Sequence, residues 1–188
     1  MSIWLLLGIG VSLVIIALIA IFVIIYNNFI RLRRDIDRAW ANIDVILKQR
    51  HDELGKLIEV CKAYMKYERG ILEKLTELRS QWMKASTRDE QTKIANEISR
   101  AIKELFAVAE NYPKLRANEN FLQLQERISG LENELADRRE FYNDCVTSYN
   151  IRLQSIPDLI VAKLMKLKPM ELFKVAEEEK KDVEIKFE

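Results

Sequence analysis

Glycine and proline are scarce in this chain, five and three among 188 residues, which leaves little of the punctuation that hairpins and long loops need. Helices are therefore expected to dominate. The two cysteines, Cys61 and Cys145, stand alone, and His51 is the single histidine. No zinc-ligand spacing can be built from them. Both cysteines fall on apolar helical faces, where a small buried thiol packs well. No glycine-rich phosphate loop and no nucleophile beside a base can be found. The carboxylate pairs Asp35/Asp37 and Glu132/Glu134 are two residues apart and so cannot share a helical face. His51 beside Asp52 reads as an exposed turn residue rather than a general base. Lys and Arg number 30 against 29 Asp and Glu, without the concentrated basic surface that nucleic acid requires. The expectation is a protein that is not an enzyme, holds no metal or cofactor and binds no nucleic acid.

Charge is missing altogether from Ile3 to Ile25, where 17 of 23 residues are Ile, Leu, Val or Phe. As a helix this run measures about 35 Å, enough for a hydrocarbon core of about 30 Å. It reads as a transmembrane signal anchor rather than a cleaved signal peptide, because no basic residue precedes it, its length exceeds an ordinary signal h-region, and no A-x-A site closes it. Residues 1–26 form this anchor. Arg31, Arg33, Arg34 and Arg38 follow it as a basic membrane collar, which predicts an N-terminus outside and the remaining domain cytoplasmic. Gly8 and Gly10 lack the G-x-x-x-G spacing, so they argue only weakly for association through the span.

Beyond Tyr26 the helical pattern continues. Phe29, Ile36 and Ile43 recur every seven residues, flanked by Leu32, Ala39 and Ile46, and Trp40 and Leu47 widen that face. The first helix is expected to reach about Arg50. A break is expected at His51-Asp52-Glu53-Leu54-Gly55, with Asp52 as an N-cap; an unbroken or kinked helix is the alternative, since Leu54, Cys61, Leu75 and Trp82 keep the register of Trp40 and Leu47. A second helix would bury Leu57, Cys61, Tyr64, Leu72 and Trp82. Thr87 and Glu90 form a capping-box pattern ahead of a third helix carrying Ile98, Ile102 and Leu105. Asn111-Tyr112-Pro113 ends it, and Asn118 caps a fourth helix. That helix lines up Phe121, Ile128, Leu135, Tyr142, Tyr149 and Ile156 every seven residues, with Leu124, Leu131 and Cys145 beside them. Ser155-Ile156-Pro157 stops it.

The fold class is accordingly all-α: a single transmembrane helix followed, over 27–156, by an antiparallel four-helix up-down-up-down bundle. Residues 157–188 form a tail. In it, an amphipathic piece at Leu159–Leu167, with Lys163, Lys166 and Lys168, is suited to anionic headgroups. An acidic run at Glu177–Glu179 and an alternating V-E-I-K-F follow; this end reads as poorly ordered, or as a peptide for a partner's sheet edge.

Two polar features call for an explanation. Arg138 interrupts an inward line and needs either a carboxylate partner, with Asp37 or Asp44 as candidates, or exposure to solvent. Tyr142-Asn143 and Tyr149-Asn150 repeat seven residues apart, and could pair with Trp40, Asn42, Asp44 and Arg50 of the first helix, to close the bundle or to bind a partner.

The runs Y-N-N-F-I-R-L-R-R-D-I-D-R-A-W-A-N-I-D, N-Y-P-K-L-R-A-N-E-N-F-L, R-R-E-F-Y-N-D-C-V-T-S-Y-N and S-I-P, in this order, resemble the LemA family of bacterial membrane proteins. The resemblance covers nearly the whole chain. It implies a membrane-anchored antiparallel helical bundle without established enzymatic activity, in a family with some members tied to specialised internal membranes. Gly55-Lys56 stands where that family usually has Pro-Asn. The function expected from all of this is a membrane scaffold or adaptor in a bacterial cell membrane, with the lipid bilayer, membrane or cytoplasmic proteins and a second copy of itself as partners. A membrane-shaping or lipid-surface role is the alternative.

Overall fold

The structure, a computed structural model, describes residues 3–174. Glu177–Glu179 and Val183–Phe187 of the tail lie outside the described residues. Six helices account for nearly all of the rest: α1 Ile3–Tyr64, α2 Arg69–Lys84, α3 Arg88–Ala109, α4 Pro113–Arg116, α5 Glu119–Gln154 and α6 Asp158–Leu164. No strand occurs among the described residues.

The expected break at His51–Gly55 is absent. α1 runs unbroken for 62 residues, about 93 Å at 1.5 Å per residue. The physical reason lies in the two seven-residue lines of its inner face. Phe29, Ile36 and Ile43 continue into Arg50, and Leu32, Ala39 and Ile46 continue into Glu53. Those charged residues look like the end of an apolar stripe, yet both are buried and paired, so the stripe carries on to Leu57 and Cys61. Asp52 is an exposed mid-helix residue rather than an N-cap. Gly55 does not break the helix either; its missing side chain makes room for Arg79, whose guanidinium would lie 2.7 Å from an added Cβ and whose Nε donates to the His51 carbonyl at 3.1 Å. The chain turns instead at Met65–Glu68.

The chain divides into two compact units, one from the described parts of Met1–Ala41 with Phe141–Leu172, the other from Asn42–Glu140 with the described part of Phe173–Glu188. In the first unit, α1 opens with a stretch whose large apolar side chains from Leu6 to Ile24 are exposed, and among the described residues one helix is long and apolar enough to cross a membrane. Ser12 spends its hydroxyl on the Gly8 carbonyl at 2.9 Å, the back-bond a serine makes inside a helix. Burial begins at Ile25 and continues through Phe29, Ile36 and Ala39. α5 runs antiparallel along this part of α1: the Phe29 ring meets Tyr149 edge-on at 6.1 Å, and Trp40 meets Tyr142 at 5.5 Å. α5 stops at Gln154, as Ser155-Ile156-Pro157 requires. Ile156 departs from expectation, being 82% exposed rather than the last inward residue of its line, because the helix ends before it. α6 buries Val161 and Ala162. It closes with Lys166 in the left-handed region at φ 53°, the Leu167 N–H donating to Ala162 and the Lys166 N–H to Lys163, a Schellman arrangement built without glycine.

In the second unit, α2 folds back on α1 so that Trp82 lies against His51 at 5.5 Å. Thr87 and Glu90 form the capping box that starts α3. α3 ends at Ala109, and Pro113, in the first turn of the short α4, uses the one place in a helix where its missing N–H costs nothing. Asn118 Oδ1 accepts from the Phe121 N–H at 3.0 Å and starts α5. The core contains Leu54, Leu57, Cys61, Leu75, Ile102, Leu105, Phe121 and Leu135. Burial pushes the Cys61 thiol up to about 12, which keeps it protonated and unreactive. Cys145, in the first unit, is half-buried, and its thiol is raised by burial and then by Asp35 and Asp144.

These helix boundaries predict opposite effects for two changes that remove a capping-type side chain. Asp52→Ala should leave the melting temperature of the detergent-solubilised chain unchanged or slightly raised, since Ala is the better mid-helix residue by a few tenths of a kcal/mol. Thr87→Ala should cost about 1 kcal/mol through loss of the cap. Thermal melts followed by circular dichroism will separate them; a clear loss for Asp52→Ala would restore a helix start there.

Candidate functional site

The nine polar residues singled out in the sequence fall into distinct settings. In the first unit, Trp40 packs on Tyr142, and the Tyr-Asn repeat of α5 faces residues 168–171, which run as an irregular strap beside it. The Tyr149 hydroxyl donates to the Lys168 carbonyl at 3.2 Å, and the Tyr142 hydroxyl to the Glu171 carbonyl at 3.3 Å. Asn150 does more: its Nδ2 donates to the Met170 carbonyl at 2.8 Å, and its Oδ1 accepts the Met170 N–H at 2.9 Å. One side-chain amide thus pairs with both polar groups of a single peptide residue, as a neighbouring strand would. Tyr149 itself is buried, which raises its phenol above the ordinary tyrosine value, so the hydroxyl stays a donor. Asn143, about two turns from this clasp, is half-buried.

The repeat is therefore a rail that grips main chain. Its spacing was visible in the sequence; its occupant was not, because the tail after Pro169 carries no periodicity that would mark it as a strap.

In the second unit, Arg50 is 1% exposed, and three groups receive it. Its Nη1 donates to Glu132 Oε1 at 2.6 Å and to Ser99 Oγ at 2.8 Å, and its Nη2 donates to the Ala95 carbonyl at 3.2 Å. Ser99 completes the circuit by donating to Glu132 Oε2 at 2.7 Å. A second buried charge, Glu53, is met by Arg127 at 2.9 Å and Lys56 at 3.2 Å. In the sequence Glu132 stood out only as half of a carboxylate pair with Glu134, read as solvated charge, and Ser99 not at all. The signal was there, since a charge at the next step of each inner line of α1 demands a partner across the core.

Asn42 and Asp44 are exposed. Arg138 pairs along its own helix with Glu134 at 3.1 Å, both half-exposed, so it reaches solvent rather than Asp37 or Asp44. Of the collar, Arg31, Arg33, Arg34 and Arg38 are exposed on α1, with Arg38 near Asp35 at 3.8 Å. His51 is largely buried against Trp82 rather than an exposed turn residue, its Nδ1 3.3 Å from Asp52.

A further surface, not foreseen, is an open groove of about 850 Å³ between the last turns of α1 and α2. Met65 and Leu72 give it an apolar floor, and Lys62 and Lys66 line it together with Arg69, Glu73 and Glu77, which follow one another along one face of α2. Among the described residues no group of His, Cys, Asp and Glu is placed to hold a metal ion.

Two substitutions probe these settings. Asn150→Ala removes both bonds to Met170 and should raise the amide exchange rate at Met170 about tenfold or more, taking about 1 kcal/mol for each lost bond, while α5 keeps its protection. Glu132→Ala strands the Arg50 guanidinium and should cost about 3 kcal/mol in urea unfolding, more than Arg50→Met, which removes charge and partner demand together.

Residues 39–187 match the sequence profile of the LemA family. Protein LemA of Metamycoplasma hominis is 27% identical over 171 residues, covering 88% of this chain and 78% of that protein. Magnetosome protein MamQ 2 of Paramagnetospirillum magneticum is 23% identical over 185 residues, covering 85% and 68%, and magnetosome protein MamQ of Magnetospirillum gryphiswaldense is 21% identical over 184 residues, covering 84% and 68%. The profile takes in the whole of the helical core from Ala39 onward, including Arg50, Glu132 and both Tyr-Asn pairs, and this chain belongs to the LemA family.

Proposed function

We propose that this protein is a membrane-anchored helical scaffold or adaptor that acts through protein partners. The observation that carries the reading is the groove at the end of α1. The helix that carries Lys62 to that groove, and delivers Met65 and Lys66 in the turn directly after its end, is the same unbroken element that begins with the apolar stretch at Ile3, so a body seated there is joined to that stretch by one continuous helix. An apolar floor lined by charges of both signs suits a short amphipathic helix of a partner protein, its charged residues meeting Lys66, Arg69, Glu73 and Glu77. In this reading the helices close as an antiparallel four-helix bundle. The membrane is the bacterial cell membrane, and the exposed arginines after Asn28 keep the domain on its cytoplasmic side. The chemistry assigned to the protein is recognition rather than catalysis.

The test is a photo-crosslinking residue at Thr76 on the groove rim, with Gln123 on the exposed face of α5 as control, in the full chain expressed in native membranes. Discrete protein adducts from position 76, absent from position 123 and reduced several-fold by Arg69→Glu, are expected. Adducts with lipid alone, or identical adducts from both positions, would overturn the scaffold reading.

A further inference from the structure

α6 and the turn before it present an apolar face that nothing in the first unit covers. Ile156, Ile160 and Leu164 are 82%, 61% and 67% exposed, at i, i+4 and i+8. The opposite face is buried through Val161 and Ala162, so these three residues are not surplus core but an outward stripe. Lys163 and Lys166 stand exposed beside it, followed by Lys168.

The position of this stripe within the unit identifies what covers it. Tyr149 of α5 is level with Phe29 of α1, and the two helices run in opposite directions. Five residues further, about 7.5 Å along the axis, α5 ends at Gln154, level with the last apolar residues of the membrane-competent stretch, where Ile24 is exposed and Ile25 is buried. Arg152 reaches Asp158 at 3.7 Å and ties the start of α6 to that level. The Tyr149 hydroxyl holds Lys168 back at the level of Phe29. α6 therefore lies at the level where α1 passes from exposed apolar side chains to a protein-covered face, just ahead of Arg31, Arg33 and Arg34 on α1.

We infer that α6 with Ile156 is an interfacial wedge that lies on the same bilayer α1 crosses, its apolar stripe at the acyl boundary and its lysines on anionic phospholipid headgroups. An apolar stripe at the foot of a span, flanked by cations, has the composition of an in-plane interfacial helix, and juxtamembrane Lys and Arg add attraction to anionic lipid. The wedge is separate from the groove between α1 and α2 and stands whether or not a protein partner docks there.

The full chain is reconstituted in vesicles of phosphatidylcholine and phosphatidylglycerol, with an environment-sensitive NBD probe on Ile160→Cys or Leu164→Cys, and on Phe141→Cys, an exposed apolar residue further up α5, as reference. Wild type labelled in parallel gives the background from Cys145 and the buried Cys61. Spin-labelled phospholipid should quench the probe at 160 and 164 several-fold more than at 141, and the excess should shrink in vesicles of phosphatidylcholine alone. Equal quenching at all three positions would overturn the wedge. So would a probe shift that ignores labelled lipid and grows with protein density, which would make a second copy the occupant. Excess quenching indifferent to headgroup charge would overturn the role given to Lys163, Lys166 and Lys168.

Discussion

The hydrogen bonds of α1 have to be closed within the helix itself. A segment without charge or polar cover has no water to satisfy free N–H and C=O groups when it lies in lipid, so only a helix will serve there. The helix that results continues into protein without a cap or a turn, and its inner stripe changes surroundings at Ile25, from exposed to buried. From there the packing of Phe29 and Ile36 against α5 follows the phase already set by the apolar stretch. A chain that turned directly after the span would need to cap four carbonyls at the membrane surface; this one avoids the problem by not ending.

That continuity is also where sequence and structure part. Helix type, the capping box at Thr87, the Asn118 start and the Ser155-Ile156-Pro157 stop are local devices, each written in a few adjacent residues, and each could be read. The end of α1 is not local. Arg50 and Glu53 look like the edge of a domain on a helical wheel, and only the partners supplied by α3 and α5 turn them into core residues. Gly55 misleads for the same reason, because the side chain that fills its space, Arg79, comes from another helix. Ile156 continued a seven-residue line on paper while the backbone had already left the helix.

The candidate site shows the same division. The Tyr-Asn repeat was legible as a face of α5, since a period of seven survives without knowing any contact. What it holds was not, because residues 168–171 are recognised through their peptide groups and carry no pattern of their own. The groove beside Met65 was invisible for a third reason: it depends on where the turn between α1 and α2 falls.

Arg50 and Glu132 give the second unit a polar layer whose members cannot be exchanged singly. A guanidinium at 1% exposure with a carboxylate, a hydroxyl and a carbonyl around it is satisfied only when α1, α3 and α5 are all present in one alignment. Apolar neighbours such as Leu54 and Leu105 tolerate small slips; this circuit does not.

The clasp at Asn150 has a different kind of consequence. An amide that pairs with the N–H and C=O of Met170 does not sense which side chain Met170 carries. The strap is therefore free to change composition at that position, to any residue except proline, while the grip stays the same. Divergent tails on otherwise similar cores could be worn interchangeably, with the variation confined to the side chains that point away from α5.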